Sequence, residues 1–134
     1  MQRLPVQVTS KSKNWNSSDV HPGLRWQFSV NTGITSSHGL SCGHLQVAPG
    51  AKLALHYHTQ QEIYIITRGF ATLLTGQNLS RPVTPGDTIY IPENSWHGVE
   101  NSGVSILEFI WIFPTDSWQE IEYIFADDAL NGAK

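Results

Sequence analysis

The sequence predicts an all-β, single-domain protein, a sandwich or a barrel of short strands. Two observations carry this reading. The chain offers about eight to ten short runs with strand-like alternation or β-branched content, broken by turn signals about every eight to twelve residues. No stretch has the apolar periodicity of a long helix. A length of 134 residues suffices for one sizeable core and not for two.

The elements follow in order. Residues 1–13 hold one alternating piece, Val6-Gln7-Val8, ahead of a polar Ser/Lys run, and read as an N-terminal strand or a tail. Residues 14–126 read as the domain itself. Residues 14–23 (NWNSSDVHPG) are rich in turn formers and read as a loop or a short capped helical turn, with His21 biased to an extended loop position by Pro22. Leu24, Trp26, Phe28 and Val30 alternate against Arg25, Gln27 and Ser29, the pattern of a half-buried strand. A polar connection leads to a strand over residues 40–47. Strands over residues 70–74 and 79–83 flank a Thr75-Gly76-Gln77-Asn78 turn, and another follows over 88–91. A Pro92-Glu93-Asn94 turn precedes a strand carrying His97. Residues 104–113 (VSILEFIWIF) read as a central strand buried on both faces. The Asn101-Ser102-Gly103 turn resets its parity, so either side can face inward. Pro114 stops this strand, and Thr115 or Asp116 would cap a short helical segment through Trp118, Ile121 and Tyr123. Residues 127–134 offer little reason for order.

Composition removes several classes of function. Charged residues are 14% of the chain and the formal net charge is −3, which leaves no basic patch for nucleic acid or an anionic membrane. Five Trp, five Phe and four Tyr mark a globular chain, not a disordered one. The single cysteine, Cys42, excludes an internal disulfide framework, points to a reducing compartment and reads as a small buried hydrophobe. No signal-like apolar region or membrane-length window is visible, so a soluble, cytoplasmic protein is expected.

The stretch over residues 50–69, GAKLALHYHTQQEIYIITRG, carries the chemistry. On a strand, His56 and His58 would share a face. A turn at Thr59-Gln60-Gln61 would return the chain as a second strand, bringing Glu62 to the two imidazoles across a hairpin. Two histidines and a carboxylate are metal ligands of borderline softness. The spacing of Gly50, His56, His58, Glu62 and Gly69 resembles the first cupin motif without a mismatch. GDTIYIPENSWHGVEN, with Gly86, Pro92, His97 and Asn101, resembles the second. Asn94 stands where the family usually has glycine, and Asn best tolerates the left-handed backbone such a turn needs. The resemblance implies a jelly-roll β-barrel with a metal in its lumen, held by His56, His58, Glu62 and His97. It also implies a homodimer. Four ligands leave a position open to water or substrate, and the ion would be one divalent transition metal: Fe, Mn, Ni or Zn, which this ligand set does not separate. His38 and His44 lie outside the motifs and read as surface or structural residues.

Tyr64 lies two residues beyond Glu62, so strand alternation sends it into the lumen. Beside a dication it could serve as a general base; elsewhere it would be an ordinary packed tyrosine. Of the eight Lys and Arg, only Arg25 falls on a strand whose face could be internal, which argues against phosphorylated substrates and for small carboxylates. Trp26, Phe109, Trp111 and Tyr123 are candidates for an aromatic wall suited to a bound cation, each of them also a candidate for plain core. PGLRWQF, HYH followed by EIY, and LEFIWIFPTD followed by EIEY resemble the small single-cupin dimethylsulfoniopropionate (DMSP) lyases from about Trp15 to Phe125. That resemblance implies release of dimethyl sulfide and acrylate. Tyr64 would be the base and Tyr123 a second active-site tyrosine. An Fe(II) oxygenase, an isomerase acting on another small carboxylate, or a non-catalytic ligand-binding cupin stay open, because fold does not fix function.

Overall fold

A computed structural model describes residues 3–10 and 14–132. Its strands are β1 (Asn16–Ser17), β2 (Leu24–Val30), β3 (Ser41–Val47), β4 (Lys52–Tyr57), β5 (Glu62–Arg68) and β6 (Ala71–Thr75) in the first half. In the second half come β7 (Ser80–Val83), β8 (Thr88–Ile91), β9 (His97–Glu100), β10 (Leu107–Phe113) and β11 (Ile124–Phe125). They form a six-stranded sheet in the order β1-β2-β3-β10-β5-β8 and a five-stranded sheet in the order β11-β4-β9-β6-β7. All pairings are antiparallel, and the two sheets close over one core as a jelly roll. The predicted all-β class and jelly-roll architecture hold.

Strand β10 supplies the middle of that core. Leu107, Phe109, Trp111 and Phe113 point inward, each at most 5% exposed, while Glu108, Ile110 and Ile112 face outward and are half-buried. The strand therefore alternates, correcting the expectation of burial on both faces. Residues 104–106 lie outside it, with Val104 98% exposed. Gly43 in β3 makes room for the Trp111 indole. A Cβ there would collide with that ring and with the Gln27 carbonyl oxygen.

Three further expectations need correction. Strands β4 and β5 do not form a hairpin: β4 pairs with β9 and β11, β5 with β10 and β8. The short helical segment is a 3-10 turn over Trp118–Glu120, and its N-cap is Ser117, not Thr115 or Asp116. The Ser117 N–H donates to the Glu120 carboxylate at 3.0 Å, the reciprocal half of a capping box. Arg25 points outward, where it donates to Gln46 Oε1 at 2.7 Å and lies 4.3 Å from the Trp15 ring centroid.

The loops that hold the site are braced by amides. Asn101, fully buried, donates from Nδ2 to the carbonyls of Val47 and Ser105, both at 2.9 Å, and fixes the turn between β9 and β10. Asn94 adopts φ +59° as expected, and its N–H donates to the His58 carbonyl at 2.9 Å. Val6 is 71% exposed and lies in no strand; residues 1–2 and 11–13 of the N-terminal segment lie outside the described residues. Beyond Ala126, Asp128–Leu130 form a 3-10 turn, and Asn131 exchanges hydrogen bonds with the Phe125 backbone at 2.7 and 3.0 Å. Residues 133–134 are not described. Among the described residues, no helix is long and apolar enough to cross a membrane.

Candidate metal centre

His56 in β4 sits directly opposite His97, the first residue of β9, so the two rings leave one sheet on the same side. Their centroids are 4.2 Å apart. His58 lies just past the end of β4, and Glu62 is the first residue of β5 in the other sheet. The cluster thus forms where the chain crosses between sheets. All four residues are 3% exposed or less, and one ligand nitrogen of each histidine lies within 4.8 Å of the others.

The backbone sets the tautomer of each ring. His56 Nδ1 bonds the Ala54 carbonyl at 2.7 Å, His58 Nδ1 that of Gln60 at 2.9 Å, and His97 Nδ1 that of Ser95 at 2.8 Å. A carbonyl only accepts, so every Nδ1 carries a proton and every neutral ring presents an Nε2 lone pair to the cluster. Glu62 Oε1 lies 3.2 Å from His58 Nε2 and 3.3 Å from His97 Nε2. Acceptor therefore faces acceptor. Nε2 of His56 and of His97 are buried without a hydrogen-bond partner. A proton must enter this cluster, or a cation that accepts all four lone pairs at once. Burial, and after it the neighbouring His97, hold His56 well below the usual imidazole range, which favours the neutral, ligand form. The donor set fits a divalent transition ion.

Aromatic rings enclose the cluster. Tyr123 stacks on His56 at 4.8 Å and lies 5.3 Å from His58; Phe113 meets His58 edge-on at 5.1 Å; Phe125 is 5.4 Å from His56. Tyr64 points inward, 2% exposed, with its ring 6.0 Å from His97 and 4.3 Å from Phe109. Burial, then the Glu62 carboxylate, pushes both tyrosine hydroxyls above their ordinary range, Tyr64 strongly.

Among the expected wall residues, Phe109 reaches the site through Tyr64. Trp111 packs edge-on to Phe28 at 6.0 Å, and Trp26 packs on Trp118, also at 6.0 Å. Phe113 and Phe125 complete the enclosure and are not among the residues the sequence singles out. Stepping by two from Phe109 and Trp111 reaches Phe113, but Phe125 carries no local signal. His38 is exposed, and His44 lies on the outer face 3.7 Å from Glu108, both outside the cluster. Cys42 is half-buried, not buried. Among the described residues, no Lys or Arg is buried.

With this geometry in hand, comparison with known proteins identifies the family. The cupin domain family model matches residues 43–113. The chain belongs to the cupin family. A curated relative, 1-hydroxy-2-naphthoate 1,2-dioxygenase of Nocardioides sp. (strain KP7), is 30% identical over 94 residues, covering 69% of this chain and 22% of the relative. The cupin chain spans 22%, 37% and 63% of the lengths of the curated relatives it matches. Among solved structures, the polyketide cyclase RemF of Streptomyces resistomycificus superposes with a TM-score of 0.75 at 17% identity, over 83% of this chain and 80% of that one, a likeness of fold. Oxalate decarboxylase of Bacillus subtilis, studied for its Mn(II) centres, superposes at 0.66 with 26% identity over 78% of this cupin and 28% of its own chain.

Proposed function

We propose that this cupin is a metal-dependent lyase that eliminates dimethyl sulfide from DMSP and leaves acrylate. The observation that carries the proposal is Tyr64, a buried tyrosine beside the His97 ring, in a lumen where Glu62 is the one buried carboxylate among the described residues. His56, His58, Glu62 and His97 would hold the ion. An ion held there draws charge from a bound carboxylate and makes the adjacent C–H more acidic.

Tyr64 then takes the proton from the carbon next to the carboxylate. The C–H electron pair becomes the new C=C bond, the C–S bond breaks, and the sulfonium leaves as neutral sulfide. One base is needed and no acid, which suits a site with tyrosines and no buried Lys or Arg among the described residues. Without positive charge nearby, burial and Glu62 keep Tyr64 protonated, so its service as a base is tied to the loaded ligand cluster. The aromatic rings favour the cationic end of the substrate.

The homodimer belongs to the same proposal. Ile63, Ile65, Ile110 and Ile112 form a half-buried apolar strip on the outer face of the six-stranded sheet, and a monomer in sedimentation velocity would refute it.

A second reading has its own support. The 30% identity to a dioxygenase favours an Fe(II) oxygenase acting on another small carboxylate. Headspace detection of dimethyl sulfide from purified protein given DMSP decides between them, with chelator and then with Mn(II), Fe(II), Ni(II) or Zn(II) restored singly. Metal-dependent release supports the lyase. No release with any metal, and oxygen uptake with Fe(II), supports the oxygenase.

A further inference from the structure

Tyr123 belongs to no strand or helix, yet its ring stacks on His56 at an interplanar angle of 25°. What holds it is Trp118, whose indole Nε1–H donates to the Tyr123 hydroxyl at 3.0 Å. Trp118 is itself clamped. Its ring lies against Trp26 and Phe28, at 6.0 and 5.6 Å, and its backbone N–H donates to Asn31 Oδ1 at 2.7 Å. Asn31, 1% exposed just past the end of β2, also donates from Nδ2 to Gln119 Oε1 at 3.0 Å. A buried amide thus ties the 3-10 turn to the six-stranded sheet, and the turn's tryptophan sets the tyrosine on the other sheet's histidine.

A tyrosine hydroxyl has one proton and accepts through oxygen. Because the oxygen takes the indole N–H, the proton is left to donate, and the ring that carries it lies 4.8 Å from the His56 ring and 5.3 Å from the His58 ring. We propose that Trp118 is a positioning residue, fixing the Tyr123 hydroxyl so that it donates to the carboxylate of a ligand bound at the histidine cluster. This rests on the carboxylate-binding reading above. It separates the two tyrosines, with Tyr64 at the reacting carbon and Tyr123 at the carboxylate.

The test uses Co(II)-loaded protein titrated with acrylate and followed by its visible spectrum, so no turnover is required. Trp118→Phe keeps the ring packing and removes the donor. It should weaken acrylate binding about tenfold in the native background, the scale of a hydrogen bond to a charged group, and have no further effect in a Tyr123→Phe background. Metal content should not change. Unchanged affinity in Trp118→Phe, or an equal loss in both backgrounds, overturns the positioning role while the carboxylate reading stands. Acrylate that fails to perturb the native Co(II) spectrum overturns both. Should Trp118→Phe not fold, the indole N–H resonances decide: Tyr123→Phe should shift one of the five and speed its exchange, and five unmoved resonances refute the contact.

Discussion

Tyr64 is 2% exposed and buried beside a carboxylate, an environment that opposes ionisation. The lyase reading needs that opposition reversed by the ion, which makes Tyr64 the residue with most at stake. Tyr64→Phe should cut dimethyl sulfide release by about a hundredfold or more, the scale of general-base catalysis, with metal content unchanged. Retained turnover would move the base elsewhere. His56 gives a second prediction. The unfolded chain exposes this imidazole and takes up a proton at higher pH than the folded protein, where burial and His97 disfavour the charge. Metal-free stability should therefore fall as pH drops through about 6.5, and the loss should be complete below the folded-state pKa. Melting temperatures of chelated protein between about pH 8 and about pH 5.5 check this, and a flat profile would contradict it. His56, His58 and Glu62 were legible as candidate ligands because a one-residue gap between histidines and a fixed distance to glutamate are local facts, while His97 came with the motif resemblance. The carbonyls that set the tautomers were less so. Ala54 and Ser95 lie two residues before His56 and His97, but Gln60 lies two after His58, and only the folded turn reveals which carbonyl each ring meets.

At the scale of elements, β10 and β3 decide how wide the lumen is. Phe109 and Trp111 face inward on one, and Gly43 lets the Trp111 indole approach on the other. Gly43→Ala should cost about 1–3 kcal/mol through overpacking, read as a lower denaturant midpoint with an unchanged slope. A neutral effect would mean that both the indole and the Gln27 carbonyl can move aside. Strand β2 departs from the expected pattern: Gln27 is buried and the register shifts between Phe28 and Val30. Alternation in Glu62–Ile66 was readable because period-2 patterns depend on neighbours alone. The parity of β10 was not, since the preceding turn can enter the strand on either face and only packing against Tyr64 and Ile66 chooses. The pairing of β4 failed for a related reason. A short polar link between two strands suits a hairpin, yet both strands bury a ligand face, and opposing sheets let the two faces meet across the lumen.

Across the whole molecule, His56 and His97 come from the five-stranded sheet and Glu62 from the six-stranded one, so an ion at the cluster would fasten one sheet to the other. Binding only the folded state, it should raise stability by about 2.7 kcal/mol at a hundred times its dissociation constant, with a melting temperature that climbs with metal concentration and falls with chelator. Glu62→Gln should shrink that shift while the metal-free melting temperature stays close to native or rises, because a buried carboxylate facing two imidazole lone pairs is removed. A metal-independent melting temperature in the native protein would argue against the site.

The sequence by itself determined the all-β class and most of the strand segments, and it marked His56, His58 and Glu62 as candidate ligands, because side-chain alternation, turn chemistry and short-range spacing are written in neighbouring residues; His97 came with the motif resemblance. Tertiary structure alone decided which sheet each strand joins, which face of β10 fills the lumen, that Phe125 stands against His56, and that Trp118, braced by Asn31, holds Tyr123. Those outcomes depend on contacts between residues far apart in the chain, and no local pattern encodes the choice among the partners the fold makes available.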